Sequence, residues 1–271
     1  MMGPGQTALV TGGGSGIGRA LVLALARRGM HVVAADRDLA ALAETTRTAE
    51  RGGLVVASVA LDVTDRDGFA TRVHEIADEW GGLDLLINNA GVGMAGEIRD
   101  MADEDWRRIM EVNLFGVVNG VDAAYPLMIQ RGRGHIVNVS SLAGLIPLPG
   151  ESIYVASKHA VVGLTRTLEA EARDHGVAVT LVCPGVVKTP IYDVSPVVGF
   201  DKEASLALWP EGISAEACAR EIIAGLERGQ RTVIVTRMAR ALALAQRVSP
   251  RLFQHAAALY MKRLRHTRTG G

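Results

Sequence analysis

The sequence predicts an α/β fold: a doubly wound, seven-stranded parallel sheet with helices on both faces. Short apolar segments alternate with longer segments of helical periodicity, an order typical of parallel strands joined by right-handed crossovers. Hydrophobic residues make up 48% of the chain but aromatic residues only 4%, so the core must be mainly aliphatic. Glycine-rich or polar clusters follow several predicted strands, which places them together beyond one edge of the sheet.

The predicted strands are short and mostly aliphatic. In chain order they cover Thr7–Thr11, Val32–Ala35, Leu54–Leu61, Leu83–Ile87, His135–Val139, Val177–Val182 and Thr232–Val235. The predicted helices cover Arg19–Arg28, Leu39–Arg51, Asp65–Trp80, Met101–Met110, Val112–Arg131, a segment that ends near His175, and Ser214–Glu227. Thr64 or Asp65 can cap the third of these helices.

A glycine-rich turn follows the first strand, with the sequence Gly12-Gly13-Gly14-Ser15-Gly16-Ile17-Gly18. Such a turn lets the backbone approach a pyrophosphate, which the N-terminus of the next helix then binds through free N–H groups and its dipole. Asp36 ends the second strand, where a carboxylate can accept hydrogen bonds from ribose hydroxyls and repel a 2′-phosphate. This favours NAD(H), whereas the adjacent Arg37 could hold the 2′-phosphate of NADP(H).

Tyr154 and Lys158 lie four residues apart in a predicted helix, so their side chains share one face about one turn apart. An ammonium beside a phenol favours the phenolate and lowers the pKa of the phenol from about 10 towards neutrality. The spacing therefore predicts that Tyr154 exchanges a proton near neutral pH. Taken alone it is weak evidence, because a half-buried tyrosine beside a solvated lysine is the common arrangement.

Five features occur in a fixed order along the chain, namely the Gly12–Gly18 turn, Asn88-Asn89-Ala90-Gly91, Ser141, Tyr154-x-x-x-Lys158 and Pro184-Gly185. Together they resemble the short-chain dehydrogenase/reductase family over about residues 6–236. The resemblance implies a Rossmann-type fold and hydride transfer between a nicotinamide cofactor and an alcohol or ketone.

The resemblance also implies a role for each matching residue. Tyr154 would be the catalytic acid/base, and Lys158 would bind the nicotinamide ribose and lower the pKa of Tyr154. Ser141 would orient the substrate carbonyl, and Asn113 would support a water-linked proton relay to the lysine. From its apolar surroundings alone, Asn113 either braces the backbone or serves the site. The further implied cofactor contacts are Asp62, Val63, Asn89, Ala90, Gly91, Pro184, Gly185, Val187 and Thr189.

Composition disfavours several classes of protein. The first residues lack a basic region followed by an apolar run, so no secretory signal is expected. No uninterrupted apolar segment approaches the ~18–20 residues that span a bilayer. Cys183 and Cys218 are expected to be small buried residues, and the histidines show no metal-ligand spacing. We therefore expect a cytoplasmic protein without a metal.

Two regions are expected, a catalytic domain at 1–236 and an extension at 237–271. Within the first, residues 191–212 contain prolines, glycines and apolar side chains without a steady period, which is typical of a mobile lid over an apolar substrate. The extension has no acidic residue between Arg237 and Arg268 but many basic ones. Two helices are expected there, and Ser249-Pro250 opens the second.

The apolar face expected on the second tail helix comprises Leu252, Phe253, Ala256, Leu259, Tyr260 and Leu264. The two helices either pack on the domain or another subunit, or present a basic amphipathic surface that touches anionic lipid or caps an apolar substrate. A nucleic-acid partner is not expected, because the tail has no recognisable reading motif and few aromatic residues.

The expected function is that of an NAD(P)-dependent oxidoreductase that interconverts a secondary alcohol and a ketone. The alternative is a catalytically silent dinucleotide-binding regulatory or scaffold protein, whose tail docks to a membrane or partner. The family resemblance implies a homodimer or homotetramer formed through the long helices near 113–131 and 152–175.

Overall fold

Seven parallel strands form the central sheet of the protein. The structure, a computed structural model, describes residues 3–269, so the outer ends of the expected regions at residues 1 and 271 lie outside it. The strands are β1 (Thr7–Thr11), β2 (His31–Asp36), β3 (Ala57–Ala60), β4 (Leu85–Asn88), β5 (Gly134–Val139), β6 (Val177–Pro184) and β9 (Thr232–Val235). Their order across the sheet is β3-β2-β1-β4-β5-β6-β9, with parallel pairing throughout.

The sheet order confirms the predicted doubly wound fold. From β1 the chain winds outwards through β2 to β3, then returns to β4 on the other side of β1 and continues to β9. A crevice opens at the carboxyl ends of β1 and β4, where the winding direction reverses. The glycine-rich turn and the Asn88–Gly91 segment both begin at this crevice.

Helices cover both faces of the sheet and build two separate apolar cores. On one face lie α1 (Gly16–Ala26), α2 (Leu39–Arg51) and α9 (Ala215–Glu227), and on the other lie α3 (Arg66–Trp80), α5 (Gly116–Arg131) and α6 (Ser152–Ala172). Leu21 and Ile222 are fully buried in the first core, and Phe69 is fully buried in the second. The helix α3 begins after Asp65, whose carboxylate accepts from the Gly68 N–H at 2.9 Å, so Asp65 is the cap.

The third strand and the fifth helix differ in their bounds from the predicted ones. The third strand is shorter than predicted because it is the edge strand, and it pairs only with β2. The helix predicted from Val112 instead continues α4 (Asp103–Met110) through a π-helical turn at Glu111–Phe115. Such turns add a residue to the helix and often occur at functional sites.

The helical stretch Asp103–Arg131 is long and apolar enough, by length and composition, to cross a membrane. The same properties suit a core helix of a globular protein. Val117, Ala124 and Met128 are buried against the sheet with the second apolar core. Its place in the fold is therefore that of a core helix.

The expected lid is more regular than the sequence indicates. Its ends are joined by two short paired strands, β7 (Val187–Lys188) and β8 (Ile213–Ser214), and it contains α7 (Ile191–Val194) and α8 (Lys202–Leu206). Asp201 caps α8 by accepting from the Ala204 N–H at 2.7 Å. The sequence of this segment shows no steady period because these helices are too short to produce one.

The tail forms the two predicted helices, α10 (Arg237–Val248) and α11 (Pro250–Arg265). Two ion pairs fasten its end to the loop before α4: Arg265 to Glu97 at 2.9 Å and Arg268 to Asp100 at 2.9 Å. The predicted single apolar face of α11 is divided. Leu264 is buried, but Leu252 is 71% exposed and Leu259 is 60% exposed, because only one side of the helix packs on the domain.

Candidate active site

The glycine-rich turn between β1 and α1 forms a cradle for an anionic group. Gly12 and Gly16 have φ angles of 66° and 50°, a region that favours glycine. A Cβ at Gly14 would come 2.8 Å from Asp36 Oδ2, so a side chain there would disrupt the turn. The Ser15 side chain does not cap α1, and the first turn of that helix carries no acidic residue. The N–H groups at this helix end therefore remain available to a pyrophosphate, which fits a dinucleotide.

Asp36 is fixed at the end of β2 by two backbone groups. Its Oδ2 accepts from the Gly14 N–H at 3.0 Å and its Oδ1 accepts from the Asp38 N–H at 3.1 Å. The carboxylate therefore stands against the glycine-rich turn, next to the exposed Arg37. At the end of β3, backbone and side-chain hydrogen bonds from Thr64, together with the charge of Arg37, lower the pKa of Asp62.

Thr11 joins the carboxyl ends of β1 and β4 and was not singled out from the sequence. Its Oγ1 accepts from the N–H groups of Asn89 and Ala90 at 3.0 and 3.1 Å, while Asn89 Nδ2 donates to the Thr11 carbonyl at 2.9 Å. A buried threonine at the last position of a strand is the only signal the sequence offers. These bonds hold the Asn88–Gly91 segment beside the glycine-rich turn.

The helix α6 places Tyr154 and Lys158 on one face, as predicted. Lys158 Nζ lies 5.7 Å from the centre of the Tyr154 ring and donates to the Val139 carbonyl at 3.2 Å. The two serines after β5 have different partners. Ser140 Oγ donates to the Lys158 carbonyl at 2.8 Å, while Ser141 Oγ accepts from the Ala143 N–H at 3.1 Å.

Asn113 lies in the π-helical turn and is fully buried. Its Oδ1 accepts from the Val92 N–H at 2.8 Å, and its Nδ2 donates to the Val92 carbonyl at 3.0 Å and to Ser157 Oγ at 3.1 Å. Asn113 therefore braces the loop after β4 and also contacts the helix that carries Tyr154. Of the two readings that the sequence left open, the backbone brace is directly visible.

The expected lowering of the Tyr154 pKa is not found in this structure. Burial raises the pKa of Tyr154 above its usual range, although the Ser141 hydroxyl acts in the opposite direction. Burial also lowers the pKa of Lys158 to about 8, so the charged ammonium form is less favoured than it is in water. The prediction from spacing considered only the attraction between ammonium and phenolate, whereas desolvation of both groups dominates here.

Residues 6–195 match the family model described as short chain dehydrogenase. The chain belongs to the short-chain dehydrogenase/reductase family. The match ends within the lid, so the rest of the lid and both tail helices lie beyond it.

Relatives in this family align over different lengths. SadH of Mycobacterium tuberculosis, an oxidoreductase by name, is 37% identical over 260 residues, 94% of this chain and 94% of its own. The 3-oxoacyl-[acyl-carrier-protein] reductase FabG of Thermotoga maritima is 38% identical over 71% of this chain and 78% of its own. A crystal structure of a family member from Burkholderia phymatum in complex with NAD has a TM-score of 0.84 and 32% identity, and covers 93% of this chain and 96% of its own.

An apolar cavity of about 560 Å³ is lined by three of the four predicted catalytic residues of this family member, Asn113 being the exception. Ser141, Tyr154 and Lys158 line it, as do the predicted cofactor contacts Ile17, Asn89, Pro184, Gly185, Val187 and Thr189. The lid and tail supply its outer wall through Ile191, Tyr192, Val197, Phe200, Leu206, Leu208, Trp209, Met238, Leu242, Tyr260 and Leu264. Asp36, Arg37, Asp62 and Val63 do not line this cavity and lie instead at the neighbouring strand ends.

Other titratable groups of the site include one that the sequence reasoning missed. Glu151, at the start of α6, lines the cavity and is only 9% exposed. A charged residue in the apolar stretch that leads to Tyr154 was the available signal.

Cys183 and Cys218 are free and buried as predicted, and burial raises the pKa of each thiol to about 12. Within residues 3–269, no cluster of three or more His, Cys, Asp or Glu side chains could hold a metal ion.

Proposed function

We propose that this family member is an NAD(H)-dependent oxidoreductase that interconverts a secondary alcohol and a ketone of largely apolar character. The observation that carries the proposal is the convergence of Ser141, Tyr154 and Lys158 on one wall of an apolar cavity. Predicted cofactor contacts from the carboxyl ends of β1, β4 and β6 line the same cavity. The chemical groups needed to position a cofactor and to move a proton are therefore next to each other.

Each group in this proposal has a separate chemical task. A bound nicotinamide supplies hydride acceptance or donation. Tyr154 moves a proton between its hydroxyl and the substrate oxygen, and the Ser141 hydroxyl donates a hydrogen bond to that oxygen. Lys158 holds positive charge behind Tyr154, and the lid and tail exclude water from the cavity. We propose that 191–212 closes over the substrate during this reaction.

The substitution Tyr154→Phe tests the proposal against a catalytically silent binding protein. Turnover of secondary alcohols or ketones should fall by about 10²–10⁴-fold, because the variant loses its acid/base group. Dinucleotide binding, measured by calorimetry, should be retained. Tyr125→Phe on α5 is the matched control, since Tyr125 does not line the cavity. If Tyr154→Phe keeps wild-type turnover across a panel of alcohols and ketones, the proposed role is wrong.

We propose NAD(H) as the preferred dinucleotide. The Asp36 carboxylate is held against the turn by the Gly14 N–H, where it can bind ribose hydroxyls and repel a 2′-phosphate. The neighbouring structure with NAD from Burkholderia phymatum supports this choice. Arg37 remains the feature that favours NADP(H) as the alternative.

We propose that the protein forms a homodimer or homotetramer through the outer faces of α5 and α6. Phe115, in the π-helical turn that leads into α5, is 47% exposed, and a large aromatic side chain in this position suits a contact with another subunit. The substitution Phe115→Arg should lower the mass measured by light scattering. An unchanged oligomer would exclude Phe115 from the interface.

We propose that this is a cytoplasmic protein whose tail touches anionic membrane surfaces. Leu252 and Leu259 are exposed on the outer side of α11, and Arg251 and Arg263 make no ion pair with any described residue. Exposed leucines beside cations are typical of helices that lie in a lipid interface. The double substitution Leu252→Ser and Leu259→Ser should reduce sedimentation with phosphatidylserine vesicles. If the wild-type protein sediments equally well with neutral phosphatidylcholine vesicles, the proposed electrostatic attraction to anionic lipid is wrong.

A further inference from the structure

Glu151 is an unpartnered acid in an apolar cavity. Its backbone is fully engaged, because its N–H donates to Leu148 and its carbonyl accepts from the Val155 N–H at 2.8 Å. Its carboxyl group, in contrast, makes no hydrogen bond or ion pair with any residue between 3 and 269, although the side chain is nine-tenths buried. The carboxyl group opens onto the cavity and is therefore available to a ligand bound there.

Glu151 lies close to Tyr154 in the sequence and lines the same cavity. It immediately precedes the first residue of α6, and Tyr154 follows three residues later. Glu151 has non-helical backbone angles (φ −135°, ψ 32°), and its side chain lines the same cavity as that of Tyr154. Glu151 also raises the pKa of Tyr192 on α7 and of Tyr260 on α11 through its charge. The carboxyl group therefore faces a space enclosed by the helix, the lid and the tail.

The surroundings of Glu151 favour its uncharged form. Burial raises the pKa of its carboxyl group to about 8. The titratable groups that face it are the phenols of Tyr154, Tyr192 and Tyr260, and burial raises the pKa of all three. Lys158, the cation of the cavity wall, donates instead to the Val139 carbonyl. A protonated carboxyl group presents an O–H donor to the cavity and disfavours a neighbouring anion once it ionises.

We propose that Glu151 donates a hydrogen bond to a second, uncharged oxygen of the substrate, close to the carbon that reacts. This inference rests on the proposed oxidoreductase function and narrows its substrate class. Suitable molecules have an apolar chain and an ester, thioester, ketone or hydroxyl oxygen near the reacting group. Free carboxylates of the same carbon skeleton are poor substrates, because Glu151 offers them no counter-charge.

Three matched alcohols test the proposal in the full-length protein with NAD: ethyl 3-hydroxydecanoate, the free 3-hydroxydecanoate anion and 2-decanol. Wild type should have a higher kcat/KM for the ester than for the anion. Glu151→Leu should lower the ratio of kcat/KM for the ester to that for 2-decanol by about tenfold, the usual effect of losing one hydrogen bond. Glu151→Gln keeps a hydrogen-bond donor, so its ratio of kcat/KM for the ester to kcat/KM for 2-decanol should stay close to the wild-type value. An equal ratio in all three proteins would overturn the proposal.

The pH dependence of KM provides a second measurement that a merely structural role would not change. In wild type the KM for the ester should rise above about pH 8, as Glu151 ionises and loses its donor. Glu151→Gln should lack this component, whereas titration of Lys158, whose pKa is also about 8, should persist in both proteins. Identical pH profiles would reject the role of Glu151 even if Glu151→Leu fails to fold.

Failure of the proposed function would be recognised separately. If wild type oxidises none of the three alcohols, the oxidoreductase assignment for this substrate range fails. Calorimetric binding of ethyl 3-hydroxydecanoate to the NAD-loaded protein then still tests Glu151. Weaker binding to Glu151→Leu than to Glu151→Gln supports the hydrogen bond, and equal binding to both contradicts it.

Discussion

Asn113 and Ser157 connect the π-helical turn to the helix that carries Tyr154. Asn113 Nδ2 donates to Ser157 Oγ at 3.1 Å, and Ser157 Oγ donates in turn to the Tyr154 carbonyl at 2.8 Å. Asn113 uses its remaining polar atoms on Val92 in the loop after β4. The side chain of Asn113 therefore links the π-helical turn to the loop after β4 and, through Ser157, to the backbone of Tyr154.

Replacing this amide should affect both stability and turnover. Asn113→Ala leaves the half-buried N–H and carbonyl of Val92 without their side-chain partner, so the free energy of unfolding should fall by about 1–3 kcal/mol in urea denaturation. The value of kcat should also fall, because α6 loses its brace. Asn138→Ala is the control: Asn138 is equally buried and bonds to Thr165, so stability should fall while kcat stays near wild type. Wild-type stability of Asn113→Ala would contradict the brace.

The dinucleotide preference should depend on Asp36. In Asp36→Asn the 2′-phosphate is no longer repelled and Arg37 is free to bind it, so the ratio of NADP(H) to NAD(H) affinity should rise by about 10–100-fold. Affinities for both dinucleotides can be measured by calorimetry. Asp38→Asn removes a carboxylate two residues away but keeps the cap of α2, and its ratio should not change. A ratio unaffected by Asp36→Asn would show that another group selects the cofactor.

The ion pair between Arg268 and Asp100 should hold the outer wall of the cavity in place. Arg268 also approaches Glu97 at 3.4 Å, and its neighbour Phe200 lines the cavity. Arg268→Ala should raise the KM for an apolar alcohol, most strongly at low salt, while leaving NAD affinity unchanged. Arg263→Ala removes an exposed cation that has no ion pair with the described residues, and its KM should match wild type. Equal KM values for both variants would mean that the ion pair between Arg268 and Asp100 is not needed to hold the cavity wall in place.

His135 should make the protein sensitive to acid. Burial lowers its pKa from 6.5 to about 4, so the unfolded chain binds the proton more readily than the folded one. The stability due to neutral His135 is therefore complete above pH 6.5 and is lost as the pH falls through about 4. Thr180 donates its hydroxyl proton to the Gln230 carbonyl, so His135 Nε2, 2.9 Å from Thr180 Oγ1, acts as the donor.

Thermal unfolding between pH 7 and pH 4 measures this effect. The decrease in Tm over that range should be smaller in His135→Gln than in wild type, since the variant has no imidazole to protonate. His255→Gln on the exposed side of α11 is the control and should follow the wild-type curve. Parallel curves for wild type and His135→Gln would contradict the prediction.

Local chemistry made the fold and the position of the glycine-rich turn predictable. Strands and helices alternate regularly along the chain. Gly12 and Gly16 have positive φ angles that favour glycine. Asp36 ends β2 with its carboxylate against the glycine-rich turn. The predicted boundaries fail where neighbours decide the outcome. Edge pairing shortens β3, and the π-helical turn before α5 depends on contacts with Val92 and Ser157 that lie far away in sequence.

The substrate side was less predictable because it depends on packing between distant segments. The tail contributes Tyr260 and Leu264 to the cavity that Ser141 also lines, whereas the amphipathic pattern of the tail left open whether it packs on the domain or another subunit, touches lipid or caps a substrate. The ionisation of Tyr154 was predicted in the wrong direction for this structure, because spacing reveals charges but not how deeply they are buried. Glu151 was missed for the same reason.

The family match ends at residue 195, whereas much of the cavity's outer wall comes from residues after that point. A segment that begins in the lid could therefore be exchanged between relatives as one unit, with Ser141, Tyr154 and Lys158 left in the recipient. Such a chimera needs Glu97 and Asp100 in the recipient, because they are the anchor points of the tail.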